Sequence, residues 1–436
     1  MNFVFFVLLN AVLFLRPEEF FPAIAGLRLY LIAIVFCTAT SLPKLQELLS
    51  VESLRNRPVA VCVLLFFAST IISLCVLGQI SEAFFDFGPE NAKLILYYFL
   101  LLAVVDTPSR FHTFIATLVV LIAALTAISF AQMYGIANFP NIRPCLEAIS
   151  DPVTGERVVL PRMVSSGIFN DPNDMCLVLG LGILSCIYGA TTTRSGFVGR
   201  LSWLVPIPLF GYALLETHSR GGLLGVMAGG SAYLFSRFGG PKAIPYAAAG
   251  AVTVLTLIGG RQGNISGGGT AHERLMLWAN GLTQLLAQPI YIPTGLGNGW
   301  FVDNFGLVAH NSFVQAYVEF GLLGGGGFLG AFLLSAYILY RFGKGVDAPS
   351  WAIQARHYAF AAVVAYAVGC YSITRNFVVP TYLTLGIASV LLDTAAPTLP
   401  ERFCVNGRWF GWAFFLSICG LLLMKIATQG MGLFGI

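Results

Sequence analysis

The stretch that decides the fold runs from Pro58 to Gln79 and reads PVAVCVLLFFASTIISLCVLGQ. It contains no charged residue, and about 20 apolar residues are enough for a helix to cross the roughly 30 Å of bilayer hydrocarbon. An outer-membrane strand would instead alternate apolar and polar residues over about 10 positions. This stretch therefore predicts a membrane-spanning helix.

The rest of the chain repeats this pattern. Of its 436 residues, 57% are hydrophobic and only 10% are charged, and the mean hydropathy is +0.80. Soluble domains contain roughly 25% charged residues, so these values exclude a soluble enzyme, a nucleic-acid-binding protein and a disordered scaffold. We expect an all-α polytopic membrane protein with about 12 transmembrane helices. The candidate spans are residues 2–15, 22–40, 58–79, 92–105, 112–133, 172–190, 200–216, 218–236, 243–259, 311–340, 357–374, 376–393 and 409–427.

The positions of lysine and arginine predict the orientation, because cytoplasmic loops carry an excess of both residues. The loop 41–57 holds Lys44, Arg55 and Arg57. With this loop in the cytoplasm, alternation of the spans places two long polar stretches, about 134–171 and 260–310, on the outer side. We therefore expect one transmembrane domain over residues 1–436 with two large outer loops, which are periplasmic in a Gram-negative host.

A polar hexad, Thr217 to Gly222, separates two apolar runs and reads THSRGG. Its Arg220 lies at the predicted outer interface, where an arginine is costly unless it snorkels or is paired. One interpretation is an ordinary snorkelling arginine. The other is an anion receptor, since a guanidinium binds phosphate in a bidentate manner. Ser219 and Gly221 would then belong to the same binding site, and Gly221 and Gly222 would let a bulky head group come close to the helix.

A second pattern follows the glycine-rich run 267–269. Apolar residues recur from Leu275 through Trp278 to Leu285 at helical spacing, which predicts an amphipathic helix lying on the membrane or on the bundle. Arg274 lies near the first turn of this helix. It is either a solvated residue of the polar face or a second anion ligand.

A third pattern joins a glycine-rich loop to a histidine. The GxGxG at residues 295–299 is a poor nucleotide signature because no strand–helix unit surrounds it; we expect its glycines to let the loop fold tightly back over the bundle. His310 and Asn311 follow, where the loop enters the apolar run 311–340. A lone histidine is usually structural, but at a membrane boundary its near-neutral pKa also suits a general base.

A fourth pattern, NDPND at residues 170–174, is typical of a helix start, with an Asx N-cap and Pro at the first helical position. We add Asn170 and Asn173 to the candidate substrate-binding residues. Arg375, between two spans on the predicted outer side, is a further candidate.

Taken in order, these motifs resemble the O-antigen ligase family, which also includes O-antigen polymerases and bacterial protein O-oligosaccharyltransferases. No single motif is specific, but their order, spacing and common outward placement are. The resemblance covers about residues 165–325 and rests on FNDPN from Phe169, SRGG from Ser219, Arg274 with Trp278, GxGxGxF ending at Phe301, HNSF from His310, and Glu319 with Gly321.

The resemblance implies a bundle of roughly a dozen transmembrane helices in the bacterial inner membrane, with a large periplasmic loop. It implies transfer of a glycan from undecaprenyl diphosphate to an acceptor, without a metal or other cofactor. Carried over to this sequence, Arg220 and Arg274 bind the lipid-linked diphosphate and His310 activates the acceptor hydroxyl. The chemistry agrees, because a departing diphosphate needs charge stabilisation and an attacking hydroxyl needs a base.

Several functions remain open at this point. A ligase that joins O-antigen polysaccharide to lipid A–core oligosaccharide, a polymerase and a protein O-oligosaccharyltransferase share the same donor. The short C-terminal part, residues 394–436, makes the protein O-oligosaccharyltransferase less favoured. A secondary transporter, from a different class, would place ionisable residues deep within spans and show broken helices in two related halves. Here the charges collect at the outer ends of the spans.

Overall fold

Helices dominate the part of the chain that the structure describes, and a single two-stranded sheet accompanies them there. The computed structural model describes residues 1–24, 26–139, 142–143, 145–150, 157–192, 196–245, 248, 270–342, 346–396 and 399–433. The helices and strands are, in chain order, α1 (Asn2–Leu15), α2 (Pro17–Phe20), α3 (Leu29–Leu48), α4 (Val51–Arg55), α5 (Pro58–Val76), α6 (Gly88–Val104), α7 (Pro108–Met133), β1 (Cys145–Ser150), β2 (Arg157–Arg162), α8 (Pro172–Thr192), α9 (Gly196–Leu204), α10 (Pro206–Glu216), α11 (Arg220–Phe238), α12 (Thr270–Ala287), α13 (Trp300–Phe305), α14 (Ser312–Arg341), α15 (Ser350–Ser372), α16 (Val379–Ala395) and α17 (Gly407–Leu433).

Several of these helices have the length and composition of membrane spans. Among the described residues, seven helical segments are long and apolar enough to cross a membrane: α3, α5, α7, α8, α9 with α10, α14 and α17. Their outer faces carry exposed large apolar side chains, such as Phe414 and Leu423 on α17. Extensive apolar surface of this kind is rare on soluble monomers. The chain is therefore an all-α multi-pass membrane protein.

The predicted spans within the described residues overlap helices, with shifts at some ends. The predicted span 22–40 is displaced, because Pro22–Ile24 forms a short 3-10 turn and α3 then begins only at Leu29. The predicted span 200–216 is divided between α9 and α10 at Pro206, whose ring lacks the N–H that would continue the first helix. The predicted span 243–259 lies largely outside the described residues.

The two long stretches predicted as loops contain regular structure. In 134–171, β1 and β2 form an antiparallel hairpin with Cys145 opposite Arg162. Arg162 also lies near Glu147 on this hairpin, with 3.4 Å between the guanidinium and carboxylate atoms. In 260–310, the described residues form α12 and α13. The prediction of α12 as an amphipathic helix is confirmed, whereas the hairpin was not predicted.

The chain divides into two compact units. The first is built around α8, which contacts α7, α9, α10 and α11. Of the most apolar 18-residue stretch of α8, 72% is buried. The residue ranges of this unit are Met1–Leu45, Leu100–Asn264 and Ala348–Gly369.

The second unit is built around α14, which contacts α5, α12, α13, α16 and α17. Close packing of α14 on α5 depends on small residues: a Cβ at Gly327 would lie 2.8 Å from the Phe66 backbone nitrogen and 2.9 Å from the Cys62 carbonyl oxygen. Glycine at such a position lets two membrane helices approach backbone to backbone. The ranges of this unit are Gln46–Phe99, Ile265–Asp347 and Cys370–Ile436.

Candidate functional site

In the second unit, the candidate residues gather at the start of α14. His310 has a positive φ of 51°, a conformation that non-glycine residues adopt rarely and at a cost. The next residue, Asn311, is the N-cap: its Oδ1 accepts hydrogen bonds from the backbone N–H groups of Phe313 (3.0 Å) and Val314 (3.1 Å). The cap fixes the direction in which the chain enters the helix. It leaves the imidazole of His310 half-buried beside the helix N-terminus.

Trp278 on α12 holds the chain immediately before this histidine. Its indole Nε1 donates a 2.6 Å hydrogen bond to the carbonyl oxygen of Ala309, and its ring meets Tyr371 edge to face. The side chain is buried, at 7% exposure. The periodic pattern in the sequence predicted Trp278 only as an apolar residue of α12. Its hydrogen bond is a long-range contact that no local pattern indicates.

Ser312, the first residue of α14, joins the segment 373–376 to the helix start. Its Oγ donates to the carbonyl oxygen of Ile373 (2.7 Å) and accepts from the backbone N–H of Arg375 (2.8 Å). The Asn376 amide donates to the Ser312 carbonyl oxygen (2.9 Å). The structure therefore brings Arg375 to the same helix start as His310. Ser312 was not among the predicted site residues.

Arg274, the fifth residue of α12, lies at the C-terminal end of α15. One guanidinium nitrogen donates to the Ser372 carbonyl oxygen at 3.3 Å, and the guanidinium of Arg375 donates to the neighbouring Thr374 carbonyl oxygen at 2.7 Å. Cations are favourable at helix C-termini, which carry partial negative charge. Partial burial lowers the pKa of Arg274 from its usual value, but an arginine remains charged in proteins.

Several buried polar atoms in these segments have no hydrogen-bond partner among the described residues. Buried polar groups in proteins are almost always hydrogen-bonded, so this end of the unit has hydrogen-bonding capacity that its own side chains do not use. The atoms are Asn311 Nδ2, Gln315 Oε1, Thr374 Oγ1 and Asn376 Oδ1.

The glycine-rich loop packs against a break in α14. Gly321 has φ 65° and ψ −159°, which interrupts the helix. The loop supplies hydrogen-bond donors for the carbonyl groups at the break. Leu296 N–H donates to the Val318 carbonyl oxygen (2.9 Å), and Gly297 N–H donates to the Glu319 carbonyl oxygen (3.0 Å). A Cβ at Gly295 would lie 2.2 Å from the Glu319 carbonyl oxygen. The prediction that these glycines let the loop fold tightly over the bundle is confirmed.

Glu319, part of the motif pattern, is fully buried beneath this loop. Its carboxylate accepts hydrogen bonds from the Gln315 amide (3.0 Å) and from the backbone N–H of Phe301 (3.5 Å). These contacts tie α13 to the first half of α14. Glu319 therefore has a structural role in supporting the helix start.

In the first unit, the candidate residues gather at the start of α11. Ser219 is the N-cap: its Oγ accepts from the Gly222 N–H (3.0 Å) and donates to the Asn173 side-chain oxygen (2.6 Å). Arg220 is the first helical residue, is exposed, and makes no hydrogen bond or ion pair with a described residue. Its guanidinium and the backbone N–H groups of Arg220 and Gly221 are available to an anion, whereas the Gly222 N–H is taken by the Ser219 cap.

Arg162, which the sequence did not single out, lies beside this turn. Its Nε donates to the Thr217 carbonyl oxygen at 2.9 Å, and the N–H of Met163 donates to the Glu216 carbonyl oxygen at 2.9 Å. The end of β2 thus satisfies carbonyl groups at the end of α10. Like His310, His218 in this turn has a positive φ, of 50°.

The NDPND pattern begins α8 as predicted. Asp171 Oδ1 accepts from the Asn173 backbone N–H (2.7 Å), which satisfies a free donor of the first turn. Asn170 is exposed just before the helix.

The two glycines at the start of α11 differ in their surroundings. Gly221 is half-buried, whereas Gly222 packs against α8, where a Cβ would lie 2.6 Å from that of Cys176. Gly222 thus serves helix packing, and the room it was expected to leave for a head group is filled.

The structure thus places Arg274, His310, Asn311 and Arg375 in one group, and Asn170, Asn173, Ser219, Arg220 and Gly221 in another. In the described part of the chain, no group of three or more His, Cys, Asp or Glu residues is arranged to hold a metal ion. In comparisons with known proteins, no family model and no curated protein matches the chain.

Proposed function

We propose that this protein is an O-antigen ligase of the bacterial inner membrane. It moves O-antigen polysaccharide from undecaprenyl diphosphate to lipid A–core oligosaccharide on the periplasmic face. The observation that carries the proposal is the start of α14, where a half-buried histidine in a strained backbone is held by Trp278 and Asn311, and where Arg375 meets the same helix start through Ser312. Together with the family resemblance, this arrangement favours base catalysis.

In this proposal the donor diphosphate is bound by arginines. The start of α11 supports this role for Arg220, because a helix N-terminus offers free N–H groups and partial positive charge to a phosphate. The exposed guanidinium of Arg220 adds a full charge in the same turn. Arg274 is the second diphosphate ligand that the resemblance predicts, and its partial burial strengthens its attraction for an anion.

The reaction is a single displacement at the anomeric carbon. An acceptor hydroxyl attacks this carbon and forms the new C–O bond, while its proton moves to the imidazole of His310. The bond between the anomeric carbon and the diphosphate oxygen breaks, and its electron pair leaves with undecaprenyl diphosphate. The arginines stabilise the charge that develops on the leaving group. In-line attack inverts the anomeric configuration, and the step uses no metal.

The proposal includes a specific topology. We propose a bundle of about 12 transmembrane helices, with the stretches 134–171 and 260–310 on the periplasmic side. The excess of lysine and arginine in the opposite loops supports this orientation. With Cys145 changed to serine, a cysteine introduced at the exposed Leu146 in β1 is expected to react with a membrane-impermeant thiol reagent from the periplasm. Reaction only after the inner membrane is opened would contradict the orientation.

Reconstitution with defined acceptors tests the proposed activity. Purified protein in proteoliposomes receives labelled undecaprenyl-diphosphate-linked glycan together with lipid A–core, with a second donor molecule alone, or with an acceptor peptide. A ligase labels lipid A–core, also when a chelator is present. Labelled chains that lengthen on the carrier would identify a polymerase, and labelled peptide an O-oligosaccharyltransferase.

One observation favours a transporter as the second candidate: α14 is broken at Gly321, as helices at transporter binding sites are. In a transporter, however, the carbonyl groups at such a break coordinate the substrate or ion. Here the Glu319 carbonyl oxygen already accepts from Gly297 N–H and from Ser73 Oγ, at 3.0 Å each. Glycan uptake into the proteoliposome lumen without formation of a ligated product would favour transport.

A further inference from the structure

A cavity of about 1220 Å³ lies between α14 and α17, in the second unit. Its walls are largely apolar and include Leu329, Leu333 and Leu416. It extends toward the C-terminal end of α14, whereas His310 precedes the N-terminal end. The cavity is therefore separate from the candidate site at the start of α14.

The cavity has the depth of one bilayer leaflet. It is lined from Gly407 to Ser417 of α17, and the ten residue steps between them span about 15 Å of helix, or about half of the hydrocarbon thickness. At its deep end, the Tyr317 hydroxyl donates to the Ser417 carbonyl oxygen (3.1 Å) and Ser417 Oγ donates to the Leu322 carbonyl oxygen (2.7 Å). Because these hydroxyl groups already donate within the protein, an apolar chain can end against them.

The shallow end of the cavity is basic and aromatic. Arg402, Arg408 and the single acidic residue Glu401 line it, so positive charge is in excess. The Arg402 guanidinium lies 4.9 Å from the centre of the Phe403 ring, and Trp409 lines the same end. Tryptophan is enriched where a membrane protein crosses the lipid–water interface, and basic pockets between helices bind anionic head groups.

The sides of the cavity are accessible from the bilayer. Leu333, Trp412 and Leu416 are each about half-exposed or more on the outer surface of the unit. A lipid in the same leaflet can therefore reach the cavity laterally, without passing through the helices.

We propose that this cavity binds one anionic phospholipid. Its phosphate lies at Arg402 and Arg408, and one acyl chain lies along the apolar walls between α14 and α17. The site takes its lipid from the leaflet opposite the proposed transfer reaction, on the predicted cytoplasmic side, and does not depend on the proposed enzymatic function.

Native mass spectrometry of the full chain, titrated with phosphatidylglycerol or phosphatidylcholine, tests this site. We expect one tightly bound phosphatidylglycerol and weaker binding of phosphatidylcholine. The double variant Arg402→Gln/Arg408→Gln is expected to bind phosphatidylglycerol about 25-fold more weakly, since each basic residue near the membrane surface contributes about 1 kcal/mol. The matched variant Arg200→Gln/Lys242→Gln removes the same charge from exposed positions outside the cavity and is expected to bind like wild type.

A second variant tests the cavity itself without changing charge. Ala413 lines the wall, and Ala413→Trp is expected to fill the acyl-chain position and prevent the tight binding. Equal phosphatidylglycerol affinity in the two double variants, equal affinity of wild type for both lipids, or unchanged binding by Ala413→Trp would each overturn the proposal.

Discussion

Helices α11 and α14 begin in the same backbone conformation but in different surroundings. His218 (φ 50°) precedes the N-cap of α11, and His310 (φ 51°) precedes the N-cap of α14. The first residue of α11 is the exposed Arg220, whereas the residues from Ser312 to Phe320 at the start of α14 are all buried.

The different surroundings of the two helix starts suit them to two different tasks in the proposed reaction. The start of α14 is fixed by the Trp278–Ala309 hydrogen bond, the Asn311 cap and the Ser312 contacts with the segment 373–376. Such a network suits a group that must hold one position while it accepts a proton. The start of α11 instead presents the exposed, charged side chain of Arg220 in the same turn as the N–H groups of Arg220 and Gly221, which suits binding of a phosphate. In the proposed function, proton transfer therefore falls to His310 and donor binding to Arg220.

The largest effect is expected for His310→Asn. Asparagine tolerates a positive φ, so the backbone is retained while the base is lost. Transfer is expected to fall by about 10²- to 10⁴-fold, the usual contribution of a general base, measured as single-turnover product formation. His218→Asn makes the same change at the start of α11 and is expected to retain transfer; an equal loss in the two variants would contradict the assignment.

The second effect concerns Arg220→Ala. The side chain is exposed, so the protein is expected to fold normally. Loss of a hydrogen bond to a charged group, worth about 1.5–3 kcal/mol, corresponds to a donor affinity about 10- to 100-fold weaker. Donor titration in proteoliposomes measures this change. Arg200→Ala, at an exposed position of α9, is the control, and unchanged affinity in Arg220→Ala would remove this residue from the site.

The third effect concerns Trp278→Phe, which removes the indole N–H that holds the Ala309 carbonyl. We expect a loss of about 1 kcal/mol in unfolding free energy and a kcat about fivefold lower, with the KM for donor unchanged. Thermal unfolding measures the change in unfolding free energy, and steady-state kinetics measure kcat and KM. Trp351→Phe, in α15, provides the control; a rise in donor KM with unchanged kcat would show that Trp278 does not position His310.

The smallest effect is expected for Asn173→Ala, which removes the acceptor of the Ser219 hydroxyl at the start of α11. The Ser219 cap to Gly222 remains, so we expect donor KM to rise about threefold, the equivalent of about 0.6 kcal/mol for a membrane-protein hydrogen bond. Asn173→Asp keeps an acceptor oxygen and is expected to restore the wild-type value. If Asn173→Asp raises the donor KM while Asn173→Ala leaves it unchanged, the hydrogen bond between Ser219 and Asn173 does not contribute to donor binding.

Local patterns in the sequence predicted much of this arrangement. Apolar length predicted the long helices, the NDPND pattern predicted the start of α8, and the periodicity after Arg274 predicted α12. Each of these features is decided by neighbours within a few residues. The choice of Arg375 as a candidate has a different basis, because it followed from the position of this residue between two spans on the predicted outer side. Its contact with the helix start that follows His310 was not predicted.

Features decided by distant contacts were not predicted. The chain offers glycine at position 321 and again at 324–327, yet α14 breaks only at Gly321, where the loop around Gly295 supplies the hydrogen bonds. The Trp278–Ala309 hydrogen bond and the role of Arg162 join residues that are far apart in sequence. The hairpin was missed because two six-residue strands produce a weak periodic signal beside the long apolar runs.

Donor binding and glycan transfer, measured on the same preparations of Arg220→Ala and His310→Asn, test the central claim most directly. We predict that His310→Asn binds labelled undecaprenyl-diphosphate-linked glycan like wild type but does not transfer it, whereas Arg220→Ala binds it weakly. Equal weakening of donor binding in both variants, or wild-type transfer by His310→Asn, would contradict the division of tasks between α11 and α14.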